Sequence, residues 1–290
     1  MVRLHIFPDT ARFGRSLARA TAWPSSSVRV HRFPDGESLV RVRRPVGRDA
    51  YLVRSLHDPN AKLVETMLAA DALRRAGARR VSLIAPYLPY MRQDAVFRPG
   101  EPVSQRVIGD WLGRTFDGVV TVEAHLHRVA ALRDVVPRGR SLSAASAIAG
   151  WLGPRPDTWV VGPDAESRPW VETIARLAGT RGVVAAKRRR GDRAVAIALP
   201  CIPDGARAVI VDDIASSGAT IAATARALHR AGAAIVDAIV VHAIFAREAR
   251  RRIREAGVRQ IVSCDTIPHP TNAISVAPVV ASALTTRKKS

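Results

Sequence analysis

The chain has 290 residues, of which 47% are hydrophobic and 24% are charged. These values are ordinary for a globular protein, and they exclude a disordered, a collagen-like or a disulfide-built chain. The net charge of +20 comes from 45 basic and 25 acidic residues, a balance that favours polyanionic partners such as nucleic acid or phosphate-rich small molecules. A general bias towards arginine is the alternative explanation, because only four of the basic residues are lysine.

Cysteine usage and hydropathy indicate the compartment. Cys201 and Cys264 lie far apart and form no CxxC motif, which indicates a reducing environment and no zinc framework. The N-terminal region lacks the apolar run of a signal peptide, and no stretch of about 18 uncharged apolar residues is present. We therefore expect a cytoplasmic protein that makes no contact with a membrane.

The predicted elements alternate between helices and strands along the chain. Apolar residues recur at helical spacing before Gly77 and again before Gly232, and short apolar runs follow each glycine. The predicted helices span 63–76 and 220–231, and the predicted strands lie within 79–90, 207–212 and 236–245. This alternation predicts an α/β fold with a largely parallel sheet.

The two halves of the chain resemble each other. Residues 72–78 read ALRRAGA and residues 227–233 read ALHRAGA, each between a predicted helix and a predicted strand. The motif is a common helix ending, so chance is one explanation and duplication of one α/β domain is the other. Duplication predicts two domains, spanning 1–142 and 143–290, with a serine-rich stretch at the boundary.

The strongest functional signal is the segment 209–220, which reads VIVDDIASSGAT. An apolar strand ends in Asp212 and Asp213, and a turn of small residues then opens a helix. Backbone N–H groups at a helix N-terminus, together with serine and threonine hydroxyls, bind phosphate, while paired carboxylates hold ribose hydroxyls or metal-bound water. The alternative is an acidic strand end followed by an N-capping serine.

This segment resembles the phosphoribosyl-pyrophosphate loop of phosphoribosyltransferase-type folds. On its own, the loop leaves open a transferase that consumes 5-phosphoribosyl 1-pyrophosphate (PRPP) and the synthase that makes it. Two earlier segments bear on this choice: 33–37 (FPDGE) and 86–94 (PYLPYMRQD). Singly they are explained as a β-turn and a solvated loop, but together they look like the ATP-binding segments of the ribose-phosphate pyrophosphokinase family.

The resemblance implies two similar phosphoribosyltransferase-type domains, each a mostly parallel sheet flanked by helices, in an α/β fold. The first domain would bind ATP and the second would bind ribose 5-phosphate and PRPP. The implied ATP-binding residues are Phe33, Asp35, Glu37, Arg92, Gln93, Asp94 and His125. The implied ribose-5-phosphate and PRPP-binding residues are Asp212, Asp213, Ser216, Ser217, Gly218, Ala219 and Thr220.

Two further positions are candidate metal ligands. His125 and His127 alternate beside Glu123, a pattern that suits metal or phosphate contact, although a core histidine is the usual alternative. In the family the matching histidine lies beside the ATP phosphates and magnesium, and Asp164 matches an aspartate near the metal. The resemblance therefore implies a Mg²⁺ cofactor with His125 and Asp164 as its ligands.

The basic cluster 187–192 (KRRRGD) precedes an apolar run. A solvated charge run or a nucleic-acid patch is the ordinary interpretation. The family's K-R-R loop supplies the catalytic lysine and a neighbouring arginine, which match Lys187 and Arg189. The resemblance implies transfer of the diphosphoryl group of ATP to ribose 5-phosphate, with PRPP and AMP as products and a homo-oligomer as the assembly.

Several positions depart from the family pattern. Glu123 replaces an aspartate, Glu166 and Ser167 replace two glycines, Ser216 replaces an aspartate and Ala219 replaces a glycine. A non-catalytic, synthase-like regulatory subunit and a PRPP-consuming phosphoribosyltransferase therefore stay as alternatives. A specific nucleic-acid-binding protein is disfavoured, because no recognition motif is present.

Overall fold

The computed structural model describes residues 1–126, 128–190, 194–198, 202 and 204–286, with the backbone alone for 187–190 and 194–198. It divides into two compact units. The first unit contains 1–143, 266–268 and the described part of the segment that begins at Val276, and the second contains 144–265 and 269–275.

The C-terminal segment lies elsewhere than its position in the sequence predicts. The predicted second domain runs from 143 to the end of the chain, but helix α8 (Ala277–Thr285) belongs to the first unit. It packs against helix α1 (Ala11–Thr21), and Arg140 donates a hydrogen bond to the carbonyl oxygen of Ala283 at 3.0 Å. Burial of the apolar face of α8 on α1 accounts for this placement.

The first unit is built on a sheet of six parallel strands. Its order is β2-β1-β5-β6-β7-β8. The strands are β1 (Val2–Ile6), β2 (Ser25–Ser27), β5 (Asp49–Val53), β6 (Arg80–Ile84), β7 (Val119–Val122) and β8 (Gly139–Leu142). Two more helices belong to this unit, α2 (Pro59–Arg75) and α3 (Ser104–Thr115). Fully buried Phe7, Leu52, Leu73 and Leu83 lie in its core.

A separate hairpin belongs to the first unit. Strands β3 (Arg29–Arg32) and β4 (Ser38–Arg41) pair antiparallel and form a two-stranded sheet of their own. Strand β4 contacts α2. The residues 33–37 form the tip of this hairpin, which is the local structure that Pro-Asp-Gly predicts.

The second unit repeats the same design. Its parallel sheet has the order β10-β9-β13-β14-β15-β16. The strands are β9 (Thr158–Gly162), β10 (Arg181–Val184), β13 (Arg207–Ala215), β14 (Ile235–Ala243), β15 (Val258–Cys264) and β16 (Asn272–Ile274). The helices are α4 (Ala145–Leu152), α5 (Arg168–Ala178), α6 (Ala219–Arg230) and α7 (Ala249–Glu255). Strands β11 (Ala186–Arg190) and β12 (Ala194–Ala198) form an antiparallel pair.

The internal repeat falls on equivalent elements. Helix α2 leads into β6 and helix α6 leads into β14, and each strand is the fourth of its sheet. Gly77 and Gly232 end the two helices with φ of +104° and +93°, values that favour glycine. The predicted α/β fold with two similar domains and mostly parallel sheets is therefore confirmed.

The predicted elements differ from the observed ones mainly at their ends. Helix α2 starts at Pro59, four residues before the predicted start, and β13 continues three residues beyond the predicted end at Asp212. Strand pairing explains the extension, because Ile214 and Ala215 are in register with residues of β14. Within the described ranges, no helix is long and apolar enough to cross a membrane.

Candidate functional site

The carboxylates of the second unit meet where the strand order of its sheet reverses. The chain winds outward from β9 to β10 on one side and from β13 to β14 on the other. Asp164 follows β9, and Asp212 and Asp213 lie near the end of the adjacent strand β13. Ligands of open α/β sheets bind at the carboxyl ends of the strands at this reversal. The predicted residues thus share the position where such a fold forms its crevice.

The carboxyl group of Asp212 lies within the electrostatic influence of its two acidic neighbours. Burial of the carboxyl group of Asp212 raises its pKa well above the usual value, and the nearby negative charges of Asp213 and Asp164 raise that pKa further. Like charges held together in a poorly solvated place resist ionisation. Such a group favours a ligand that brings positive charge or hydrogen-bond donors, for example a cation or the hydroxyls of a sugar.

Asp164 is held by the following turn, in which Glu166 and Ser167 differ from the family pattern. The carbonyl oxygen of Asp164 accepts a hydrogen bond from Ser167 Oγ at 2.5 Å, and Glu166 lies in the same 3₁₀ turn, Ala165–Ser167. A Cβ on Gly162 would lie 2.0 Å from Ser167 Oγ. The serine at 167 therefore packs directly on the end of β9 and fixes the backbone beside Asp164.

The turn between β13 and α6 is held by helix α7 and by Ala246 in the segment before it. Arg252 Nη1 donates to the carbonyl oxygen of Ser217 at 2.7 Å, and the backbone N–H of Ala246 donates to that of Ser216 at 2.9 Å. Gly218 precedes α6 with φ of +71°. Ala219 and Thr220 form the first turn of α6, whose backbone N–H groups have no carbonyl partner within the helix and suit an anion.

Gly218 is required by both conformation and space. A Cβ at this position would lie 2.9 Å from the carbonyl oxygen of Ala249 and 2.9 Å from Cγ1 of Ile253, both in α7. The positive φ adds a second penalty for any other residue. The turn and the two helices therefore fit only when this residue is glycine.

The donor chemistry of the carboxylate group suits Mg²⁺. Magnesium prefers oxygen ligands, and it is usually bound by one or two carboxylates together with water and substrate phosphates. Among the residues that the structure describes, no group of three or more histidine, cysteine or acidic side chains is placed to hold a metal ion by itself. The repulsion that Asp213 and Asp164 exert on Asp212 is nevertheless what a bound divalent cation would offset.

The first unit places two candidate loops at one edge of its sheet. The loop with Arg92, Gln93 and Asp94 follows β6, and the loop with His125 follows the adjacent strand β7. Asp94, with a side chain only 4% exposed, joins the loops, because its Oδ1 lies 3.4 Å from Arg128 Nε. The other oxygen of Asp94, Oδ2, is buried without a hydrogen-bond partner in the described parts of the chain.

The first residues of helix α3 donate hydrogen bonds to the loop after β6. The backbone N–H of Gln105 donates to the carbonyl oxygen of Gln93 at 3.1 Å, and its side chain donates to that of Met91 at 3.2 Å. Ser104 Oγ donates to the Gln93 side chain. Arg92 is exposed between these anchored neighbours, so the loop presents a solvent-accessible cation.

Two non-glycine residues in these loops have left-handed backbone. Tyr90 has φ of +64° and Glu123 has φ of +39°, conformations that cost energy and concentrate at functional sites. Glu123 is held by its surroundings: its N–H donates to the carbonyl oxygen of Leu142 at 2.9 Å, and Ser143 Oγ donates to its Oε1 at 2.7 Å. Half-buried His125 follows two residues later.

The hairpin tip forms a separate group within the first unit. Phe33 N–H donates to the carbonyl oxygen of Glu37 at 2.8 Å, and Glu37 N–H donates to Asp35 Oδ1 at 3.1 Å. All three residues are exposed. The structure therefore gathers Arg92, Gln93, Asp94 and His125 at the sheet edge and holds Phe33, Asp35 and Glu37 on a different element.

The remaining predicted residues are described in part or not at all. Lys187 and Arg189 lie in strand β11, in register with Ile197 and Val195 of β12, but their side chains lie outside the described part of the structure. His127 and Cys201 also lie outside the described residues.

An ion network fills the matching crevice of the first unit. The order of its sheet reverses between β1 and β5, and Asp9 and Arg54 follow these strands. Arg54 Nη2 lies 3.0 Å from Asp9 Oδ2, and Lys62 Nζ lies 3.5 Å from the same oxygen. Burial lowers the pKa of Lys62. The chain's own charged groups thus occupy the position equivalent to the carboxylate group of the second unit.

Sequence reasoning missed the residues that support the candidate site. Glu65 is fully buried in α2 and binds Arg32 and Ser38 at the base of the hairpin tip, and Arg128 joins the two sheet-edge loops. A signal for Glu65 existed, because it shares a helical face with buried Ala69 and Leu73. A charged residue on such a face must have partners.

Two family models and several curated relatives match most of the chain. Residues 5–115 match the model for the N-terminal domain of ribose phosphate pyrophosphokinase, and residues 144–280 match the phosphoribosyl transferase domain. A ribose-phosphate pyrophosphokinase of Methanopyrus kandleri is 34% identical over 281 residues, 95% of this chain and 96% of the relative. Ribose-phosphate pyrophosphokinase 2 of Archaeoglobus fulgidus is 33% identical over 275 residues, 94% of this chain and 97% of the relative.

A solved structure is similar throughout. Phosphoribosylpyrophosphate synthetase from Mycobacterium smegmatis superposes with a TM-score of 0.84 at 25% sequence identity, covering 99% of this chain and 98% of the other. The family resemblance that the loop motifs predict is confirmed, and with it the interpretation of the chain as an enzyme of this kind. The chain belongs to the ribose-phosphate pyrophosphokinase family.

Proposed function

We propose that the protein transfers the β,γ-diphosphoryl group of ATP to O1 of ribose 5-phosphate and releases PRPP and AMP. The observation that carries this proposal is the grouping of Asp164, Asp212 and Asp213 beside the turn that opens α6. Carboxylates that bind hydroxyls next to N–H groups that bind phosphate are what a ribose phosphate requires.

The second unit binds the sugar phosphate in this proposal. Residues 216–220 hold the 5-phosphate through backbone N–H groups, Ser216 Oγ and the Thr220 hydroxyl. Asp212 and Asp213 accept hydrogen bonds from the ribose hydroxyls, directly or through metal-bound water. The protein thereby presents O1 for in-line attack on the β-phosphorus, while the bond from that phosphorus to the leaving AMP oxygen breaks.

The first unit binds ATP. Buried Oδ2 of Asp94 accepts a hydrogen bond from the nucleotide, and exposed Arg92 binds its phosphates together with Gln93 and His125. The hairpin tip adds Phe33 for stacking on the base and Asp35 and Glu37 as hydrogen-bond acceptors. A homo-oligomer, in which an adjacent subunit completes the ATP site, is part of this proposal.

Lys187 and Arg189 stabilise the diphosphoryl group during transfer. Loss of one such cation typically lowers the rate by about 10²–10³. Asp164 and His125, each within its own unit, are the proposed Mg²⁺ ligands, and Mg²⁺ would neutralise phosphate charge when bound together with substrate oxygens. The net charge of +20 favours capture of two polyanionic substrates, and the use of ATP implies a cytoplasmic location.

The test is the formation of AMP and PRPP from ATP, Mg²⁺ and ribose 5-phosphate. We expect turnover by the wild-type protein and a loss of about 10²–10³ in rate for Lys187→Ala. Arg176→Ala removes a cation from the exposed side of α5 and serves as the control with unchanged rate. Absence of wild-type turnover while ATP still binds would favour a regulatory subunit, and consumption of PRPP with a nucleobase would favour a phosphoribosyltransferase.

A further inference from the structure

The β3–β4 hairpin depends on its surroundings for its position. Within the described residues, it forms no hydrogen-bonded ladder with the six-stranded sheet of its unit, and an isolated two-stranded hairpin is only marginally stable. Val30 and Val40 face each other across the hairpin and pack against the core. These apolar contacts hold the middle of the hairpin but leave the tip, 33–37, to be fixed by other groups.

One carboxylate oxygen holds both strands next to the tip. Arg32 and Ser38 are the last cross-strand pair before residues 33–37. Arg32 Nε donates to Glu65 Oε1 at 2.9 Å, and Ser38 Oγ donates to the same oxygen at 3.0 Å. The Glu65 side chain is fully buried in α2, whereas the Arg32 side chain is 61% exposed, so the contact is closed to water at the carboxylate.

The second oxygen of Glu65 connects this contact to the main sheet. Arg54 Nη2 lies 2.5 Å from Glu65 Oε2, and the Arg54 side chain is 4% exposed. Arg54 is itself held by Asp9 at 3.0 Å and lies 4.0 Å above the Phe7 ring. Because Arg54 follows β5 and Asp9 follows β1, Glu65 is fixed relative to the central strands.

The charge of Glu65 is stable at neutral pH. Burial opposes ionisation, but hydrogen bonds from Arg32 and Arg54 outweigh burial and lower the pKa of Glu65 below its usual value. A buried carboxylate between two guanidinium groups is well oriented, and removal of its charge leaves both cations uncompensated.

We propose that Glu65 is a positioning residue for the nucleotide, because it clamps the last strand pair of the hairpin and so fixes the tip that carries Phe33, Asp35 and Glu37. This inference rests on the proposed function, in which those three residues bind ATP. Glu65 acts through Arg32 and Ser38. Its loss should therefore weaken ATP binding and leave ribose 5-phosphate binding unchanged.

The test compares Glu65→Gln with Asp71→Asn. Asp71 lies in the same helix, its side chain is 62% exposed, and it pairs with Arg75, so the control makes the same chemical change on the exposed side of α2. We expect the KM for ATP to rise about tenfold in Glu65→Gln and the KM for ribose 5-phosphate to stay within about twofold of wild type. Asp71→Asn should leave both constants unchanged.

A milder variant keeps the test decisive if Glu65→Gln does not fold. Ser38→Ala removes one donor to Glu65 Oε1, and we expect a rise of about threefold in the KM for ATP. Amide hydrogen exchange of the peptide 29–41 should accelerate in both variants, with exchange in β6 unchanged. A general loss of stability would accelerate exchange in both places.

Two outcomes would overturn the clamp. One is a KM for ATP within about twofold of wild type in Ser38→Ala and in any folded Glu65→Gln protein, and the other is an equal rise in both KM values. If the wild-type protein makes no PRPP, the proposed function fails. Hydrogen exchange then decides alone whether Glu65 holds the tip, and unchanged exchange in 29–41 would reject the clamp.

Discussion

Asp164 follows β9 and Asp212 lies near the end of the adjacent strand β13, and the negative charge of Asp164 helps to raise the pKa of Asp212. The two residues are 48 positions apart in the sequence, and the reversal of strand order between β9 and β13 brings them together. Without a ligand, this arrangement costs stability, since a buried carboxyl group beside like charges binds its proton more tightly in the folded chain than in the unfolded chain.

Asp212→Asn should stabilise the ligand-free protein and abolish its activity. Because the folded state holds the extra proton, stability is lost as the pH rises from the ordinary value of 3.8 towards the raised pKa of Asp212. The amide avoids that loss, so the Tm at pH 7 should rise by about 2–4 °C for each kcal/mol gained. Thermal melts at pH 7 and below pH 4 measure the effect, which should disappear at low pH.

Asp157→Asn is the matched control for this prediction, because Asp157 is exposed just before β9. At both pH values, the Tm of Asp157→Asn should equal that of the wild-type protein. A lower Tm for Asp212→Asn than for wild type at pH 7 would contradict the electrostatic argument.

Gly218→Ala should lower the free energy of unfolding by more than the cost of its positive φ alone. The positive φ costs about 1 kcal/mol, and the contact of the added Cβ with the carbonyl oxygen of Ala249 adds to that cost. Gly179→Ala is the control, since Gly179 has φ of +62° and no atom within 4 Å of the built Cβ. Urea unfolding should show a larger loss for Gly218→Ala, and the KM for ribose 5-phosphate should rise in that variant only.

Equal losses in the two glycine variants would mean that α7 moves aside at no cost. The turn would then owe its shape to backbone conformation and not to its packing on Ala249 and Ile253.

Asp94→Asn should weaken the binding of ATP. The change replaces a buried acceptor oxygen with an amide and weakens the contact with Arg128 that joins the two loops. We expect the KM for ATP to rise about tenfold, the size of one hydrogen bond to a charged group. Steady-state kinetics with each substrate varied in turn measure the effect, and Asp110→Asn on the exposed side of α3 should behave as wild type.

One kinetic result would contradict the proposed role of Asp94. A rise in the KM for ribose 5-phosphate, with the ATP constant unchanged, would remove Asp94 from the proposed nucleotide site and assign the buried oxygen another partner.

Much of the fold follows from local patterns. The helix before Gly77 and the helix before Gly232 were predictable because apolar spacing and a glycine stop are properties of adjacent residues. The grouping of Asp164 with Asp212 was also accessible in outline, since both end apolar strands and parallel strands end at the same edge. The loop motifs then identified the family.

Other features depend on contacts that sequence spacing does not reveal. Helix α8 returns to the first unit because its apolar face fits α1, and no local pattern distinguishes that partner from another apolar surface. Glu65 has partners 33 residues before it and 11 residues before it, Arg32 and Arg54. A sequence shows that such a carboxylate needs cations but not which ones bind it.

The ion network of Asp9, Arg54 and Lys62 has a consequence for stoichiometry. Each unit has one crevice where its strand order reverses, but in the first unit the chain's own cations already neutralise the acidic side chain. A duplicated domain with two open crevices would bind two sugar phosphates, whereas this protein should bind about one per chain. Calorimetric titration with ribose 5-phosphate measures that ratio, and two equivalent sites would show that the network opens for a ligand.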